Sequence, residues 1–306
     1  MEQVSIKEQK AFANFKRITN IKKHIKGKWN TYRKHPISFI IAMFVILAAL
    51  VTFSVVLFLI GYILYHGIPY LSLDLFAWNY TTENVSMMPA IINTLIITGM
   101  ALLVAVPLGI GAAIYLVEYA KRGNRLVLIV RLMAETLAGI PSIVYGLFGM
   151  LFFVIALNMR YSILAGALTI AIMILPVILR TTEEALISVP DSYREGSFGL
   201  GAGKLRTVFR IVLPAAIPGI LSGVILAVGR IVGETAALIY TAGTVSGVAN
   251  HLLSSGRTLS VHMYSLSNEG LYTNEAYATA VVLLIIVMLI NSISSHIARK
   301  IAKGGA

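Results

Sequence analysis

The chain contains no cysteine. That removes disulfides, thiol nucleophiles and cysteine-ligated zinc or iron–sulfur sites. Its six histidines (His24, His35, His66, His251, His262 and His296) are scattered, no two at metal-ligand spacing, so no metal site is expected. No Gly-x-Ser-x-Gly elbow is present, which speaks against an intramembrane enzyme. Charge is scarce too. Only 12% of the 306 residues are Asp, Glu, Lys or Arg, about half the share usual in a soluble domain. Acidic residues are the scarcer kind, 13 against 25 basic ones.

What is abundant is apolar sequence, 58% of the chain. A membrane-crossing helix needs about 20 predominantly apolar residues. Six segments qualify, near 37–65, 89–118, 127–157, 161–182, 215–242 and 277–298. The expected fold is therefore an all-α integral membrane protein with six transmembrane helices. Residues 1–36 form a basic leader too long and polar for a secretory signal, and no small-residue cleavage site follows the first span. Phe12, Phe15, Ile18, Ile21 and Ile25 fall near helical spacing among its lysines. Two readings stay open for it: a helix lying on the membrane surface, or a disordered basic tail.

The basic residues set the orientation. Ten of the 25 precede residue 36. Lys121, Arg122, Arg125, Arg180, Arg194, Lys204, Arg206, Arg210, Arg299, Lys300 and Lys303 fall in loops or tails on that same side, against Arg160 and Arg257 on the other. Lys and Arg collect in cytoplasmic loops, so both termini are expected in the cytoplasm. The +12 net charge thus reads as topology and attraction to membrane lipid; no nucleic-acid partner is expected. Tyr62, Tyr65, Tyr70, Trp78 and Tyr80 suit the lipid–water boundary.

One charged stretch, "REGSFGLGAGKLRTVFRIVLP" from Arg194 to Pro214, separates two apolar spans. Pro190 and the Ser192–Glu195 capping-box pattern predict a short helix over about 190–200. Gly201 suits the left-handed position that ends it. A second helix is expected over 204–212, stopping at Pro214, so that the pair forms a bent hairpin on the cytoplasmic face. "GLGAGKLRT" is not a phosphate-gripping loop: Phe198 stands where the motif needs glycine, and Leu205 where it needs Ser or Thr.

Four charges fall inside the expected spans. Arg131 and Glu135 are four residues apart, as are Arg230 and Glu234, so each pair is expected to share a helix face. Such residues usually face a cavity or a partner. Gly219, Gly223, Ala227, Arg230 and Glu234 fall on one stripe at helical period, read as pathway lining. The alternative is a buried ion pair joining two helices. A guanidinium fork there suits an oxyanion, and a neighbouring carboxylate accepts the O–H of hydrogen phosphate, which sulfate lacks.

The spacing Glu195, Gly201, Ile211, Leu213–Pro214 resembles the "EAA" loop of ABC importer permeases, with Gly196 and Ser197 in place of the two alanines. "YLVEYAKRGNR", "GIPSIVYGLFG", "LRTTEEALISVPDSYREGSFGLGA" and "GRIVGETAALIYTAG" are similar to the PstA-type permeases of phosphate ABC importers, within the binding-protein-dependent transport permease family. The resemblance implies a type I importer permease fold over residues 89–298, with a first helix at 37–65, a coupling-helix hairpin within 183–214 and a basic tail at 299–306. It implies a multi-pass subunit of a prokaryotic plasma membrane. Arg230, Glu234, Arg131 and Glu135 would line the substrate pathway; Glu195, Gly201, Ile211, Leu213 and Pro214 would meet an ATPase. The implied partners are a second homologous permease, a dimeric ATP-binding subunit that uses ATP and magnesium, and an extracytoplasmic phosphate-binding protein. The chain itself would bind no cofactor and hydrolyse nothing. A permease for molybdate or sulfate, or a phosphate-sensing signalling subunit, are the alternatives.

Overall fold

The structure, a computed structural model, describes residues 36–121 and 123–304. The two readings of the basic leader, and Arg122, lie outside the described residues. All regular structure among the described residues is helical. The chain divides into two units, Met1–Tyr62 and Ile63–Ala306. The described part of the first is most of helix α1, Pro36–Gly67, which is apolar on every face and carries no charge before His66, as a helix surrounded by lipid should be.

The second unit begins with the end of α1 and two 3-10 turns, Ile68–Tyr70 and Asp74–Phe76. There follow α2 (Met88–Ile114, prolonged by a π turn to Tyr119), α3 (Arg125–Ala138), α4 (Ser142–Gly149, prolonged by a π turn to Ala156) and α5 (Ile163–Ile187). Then come α6 (Asp191–Gly199), α7 (Lys204–Thr207), α8 (Leu213–Val232), α9 (Ala236–Ile239), α10 (Leu259–Glu269) and α11 (Thr273–Gly304).

α5 is the axis of this unit. Ile97, Ala101 and Ala105 of α2 are buried with its Ile170, Ile174 and Ile178. Lipid tails are as apolar as leucine, so helices here gain from close contact rather than from leaving water. The small residues make that contact. A Cβ on Gly109 would come within 2.8 Å of the Ile178 side chain, and one on Gly219 within 2.6 Å of the Ala185 Cβ. The Gly219–Gly223 face of α8 is thus pressed against Thr181 and Ala185 of α5.

Among the described residues, five helices are long and apolar enough to cross a membrane, six if the bent pair α3–α4 counts as one. That pair corrects the uniform span expected over 127–157. It turns through 102° at Gly139–Pro141. Pro141 has no N–H to continue the helix, and the hydroxyl of Tyr145 donates to the Leu137 carbonyl at 2.8 Å. Broken backbone is tolerated at membrane depth where its polar groups are satisfied in this way.

The fifth span is corrected at both ends. Lys204–Val232 runs as one helical stretch through a π turn at Val208–Val212, so Pro214 does not end a separate helix. Proline cannot donate to the carbonyl four residues back; a turn of longer register just before it absorbs the mismatch. At the other end the helix stops at Gly233. Residues 234–242, expected to continue it, instead form a turn and the short α9.

Candidate functional site

Arg230 occupies the last turn of α8, not the middle of a span. It is half-buried and has no ion pair among the described residues. Glu234 lies beyond the helix end and does not share a helix face with it. Its Oε1 accepts from the Ala237 N–H at 3.1 Å, capping α9, while its own carbonyl accepts from Ser260 Oγ at 2.6 Å. The expected Arg230–Glu234 pair is therefore absent: glycine at 233 ended the helix that would have stacked them. Tyr145, in the first turn of α4, is near enough to feel Arg230 electrostatically. Gly146 lets α4 cross α9, since a Cβ there would meet the Ala237 Cα at 2.8 Å. Of the expected stripe, Gly223 and Ala227 are buried in helix packing; Arg230 alone presents a charge with no partner.

Arg131 and Glu135 do share a face of α3, but each pairs across to α5. Arg131 Nη2 meets Glu183 Oε1 at 2.5 Å. Arg180 lies 3.7 Å from Glu135 and 3.3 Å from Glu184. Sequence reasoning placed Arg180 in a loop and gave Glu183 no part. The i,i+4 spacing of Arg180 and Glu184, with Pro190 as the first strong stop, was the available signal that α5 runs on to Ile187.

The α6–α7 hairpin is built around a residue the sequence reading counted only as loop charge. Arg194 of α6 bonds Glu118 at 2.7 Å, Asp191 at 3.2 Å, and the Leu186 and Val189 carbonyls at 3.0 and 2.8 Å. One guanidinium thus ties α6 to the ends of α2 and α5. Pro190 is the N-cap, one residue earlier than the proline rule suggests. Gly201, at φ +80°, closes α6 in a Schellman motif: Ala202 N–H donates to the Ser197 carbonyl at 3.1 Å and Gly201 N–H to the Phe198 carbonyl at 2.9 Å. The Ser197 and Thr207 hydroxyls meet at 2.8 Å, buried, and lock α6 to α7.

Outward from this mount the surface is apolar. Tyr193, Phe198, Leu205 and Phe209 are exposed, and Leu200 is 91% exposed. Glu195 is exposed beside them; Ile211, Leu213 and Pro214 are half-buried, with Leu213 packed on the Val208–Val212–Ala216 cluster. Nothing lies within 4 Å of a Cβ built on Gly196, so its smallness serves no contact among the described residues. Exposed apolar groups clustered in this way are the kind of surface on which proteins dock.

At the opposite end the structure gathers residues that sequence reasoning left apart. Tyr80 does not sit with a lipid-boundary belt: Arg257 stacks on its ring at 4.7 Å and His262 meets it edge-on at 6.2 Å. Asn93 ties the loop in place, donating to the Gly247 and Arg257 carbonyls at 3.0 and 3.2 Å.

Residues 105–304 match the family described as binding-protein-dependent transport system inner membrane component. The probable ABC transporter permease protein YqgI of Bacillus subtilis is 34% identical over 272 residues, covering 81% of this chain and 90% of that protein. The phosphate transport system permease protein PstA of Haemophilus influenzae is 34% identical over 234 residues, covering 74% and 80%. Among solved structures, a bacterial ABC transporter involved in import of the acidic polysaccharide alginate has a TM-score of 0.58 at 17% identity, covering 83% of this chain and 95% of that one. A MetNI methionine ABC transporter chain has a TM-score of 0.55 at 19% identity, covering 70% and 94%.

Proposed function

The chain belongs to the family of binding-protein-dependent transport system inner membrane components, and from that premise we propose that it is a permease subunit of an ATP-driven importer of inorganic phosphate. The similarity to phosphate permeases carries the choice of substrate. The observation in this chain that supports it is the guanidinium of Arg230, half-buried in the last turn of α8 with no carboxylate partner among the described residues. An uncompensated cation there is costly, and an oxyanion that seats on its fork removes that cost.

Phosphate arrives on a binding protein at the face opposite the basic loops, which face the cytoplasm. Arg230 takes the anion. Glu234, with Oε1 engaged by α9, keeps its second oxygen for the O–H of hydrogen phosphate, and so favours phosphate over sulfate. Arg131 and Glu135 act as part of the α3–α5 charge network that must slide or separate as the pathway opens inward. A second homologous permease completes the pathway. A dimeric ATP-binding subunit, using ATP and magnesium, docks on the exposed face of α6 with Glu195, Gly201 and Ile211–Pro214 at its edge. Because Arg194 joins α6 to both α2 and α5, a push on α6 moves those helices as one body. This chain hydrolyses nothing.

The test is uptake of labelled phosphate by the complete transporter in vesicles, with sulfate and molybdate as competitors. Phosphate uptake that requires ATP and resists both competitors is expected. Uptake of another oxyanion in preference to phosphate would defeat the proposal.

A further inference from the structure

Arg257 is the most deeply buried cation among the described residues, only 4% exposed. No carboxylate pairs with it there. Its Nε and Nη2 are both enclosed and both lack a hydrogen-bond partner. These two atoms form one edge of the guanidinium, the edge that donates two parallel hydrogen bonds to a carboxylate or phosphate. The rest of the residue is held still. Its N–H donates to the Val245 carbonyl at 2.9 Å, its carbonyl accepts from Asn93, and its plane lies on the Tyr80 ring. A buried donor pair without acceptors is a costly arrangement. Here it is fixed from three sides rather than allowed to relax.

Beside it stands His262, fully buried, with the Val85 backbone a polar group close to its ring and no well-formed hydrogen bond on either ring nitrogen. Burial first, and the charge of Arg257 second, push its pKa down to about 3. It is therefore neutral at physiological pH and has one nitrogen able to accept a proton in a hydrogen bond. Val85, which abuts the ring, is β-branched yet held at φ +44°, a conformation such residues rarely adopt. Arg257 also directly precedes the N-cap Thr258 of α10, whose hydroxyl contacts Ser260 at 3.1 Å; Ser260 in turn donates to the Glu234 carbonyl. The Arg257 loop and the turn that follows Arg230 are thus joined by two hydroxyls.

We propose that Arg257 and His262, with Tyr80 as platform, form a second oxyanion site, closed in this conformation, that takes protonated phosphate before it reaches Arg230. The Nε–Nη2 edge binds two oxygens, and the neutral imidazole accepts the phosphate O–H. The proposal rests on the phosphate-permease reading, and extends it to a region no pathway residue was assigned to.

The test uses the complete transporter in vesicles with inorganic phosphate, loaded on the binding protein, as the probe. Arg257→Lys keeps the charge and removes the fork; His262→Gln keeps size and polarity. Arg257→Lys is expected to lower phosphate uptake about tenfold, the equivalent of one lost charged hydrogen bond, with assembly and thermal midpoint unchanged. His262→Gln is expected to lower the preference for phosphate over sulfate, a readout that loss of packing alone does not move. Native uptake and native preference in both variants would overturn the proposal. So would failure of both to assemble, which would assign the pair to structural support. If the unaltered transporter takes up no phosphate, the functional reading itself fails, and the two outcomes stay distinguishable.

Discussion

The two ends of this molecule treat charge in opposite ways. At the end carrying the basic loops, each buried or half-buried charge among the described residues is paired: Arg194 with Glu118, Glu183 with Arg131. At the far end of α8 and beyond it, the half-buried Arg230 and the buried Arg257 have no ion pair among the described residues. Desolvating a charge is tolerable where an opposite charge is fixed beside it, and expensive otherwise. Paired charges fasten helices to each other. Unpaired ones in fixed positions are binding capacity waiting for an anion. On the function proposed above, the first end would transmit force and the second would hold cargo.

Breaking the strongest pair should have the largest effect. Arg194→Ala strands Glu118 and frees two carbonyls, and is expected to cost about 3–5 kcal/mol, seen as a lower thermal midpoint and as ATP hydrolysis no longer stimulated by phosphate-loaded binding protein. Glu118→Gln should reproduce the uncoupling.

The unpaired end should answer to pH instead. His262, facing Arg257 and Tyr80, takes a proton near pH 6.5 in the unfolded chain but only near 3 when folded. The unfolded state therefore binds more protons between those values, and stability falls as pH drops below about 6.5, by up to about 1.4 kcal/mol per pH unit. Thermal midpoints between pH 7.5 and 5 check this, and His262→Gln should flatten the slope.

Glu183→Gln should cost about 1 kcal/mol, because Arg131 is half-exposed and regains water. Ser197→Ala should cost least, about 0.5–1 kcal/mol by chemical denaturation, since Thr207 retains the Gly203 carbonyl.

What the sequence made legible is local. Apolar runs, Gly201 and Pro190 act on their own neighbours, so the helical membrane class, the hairpin and the end of α6 could be read directly. The Gly139–Pro141 bend was hidden because an apolar Gly-Ile-Pro step leaves hydropathy unbroken. The end of α8 was hidden for the same reason, and with it went the supposed Arg230–Glu234 pair. Arg194 with Glu118 was out of reach: the partners are 76 residues apart, and no periodicity connects them. Arg257 and His262 looked like a stray loop charge and one scattered histidine; only the fold encloses them together with Tyr80.

The most direct test of the contrast is Arg230→Gln, with phosphate uptake and thermal midpoint measured on the same transporter preparation. Removing a charge that has no partner should leave the midpoint at or above the native value, while uptake falls roughly a hundredfold. Uptake close to native, or a midpoint that falls as it does for Arg194→Ala, would show that Arg230 is one more structural charge and that the two ends do not differ as described.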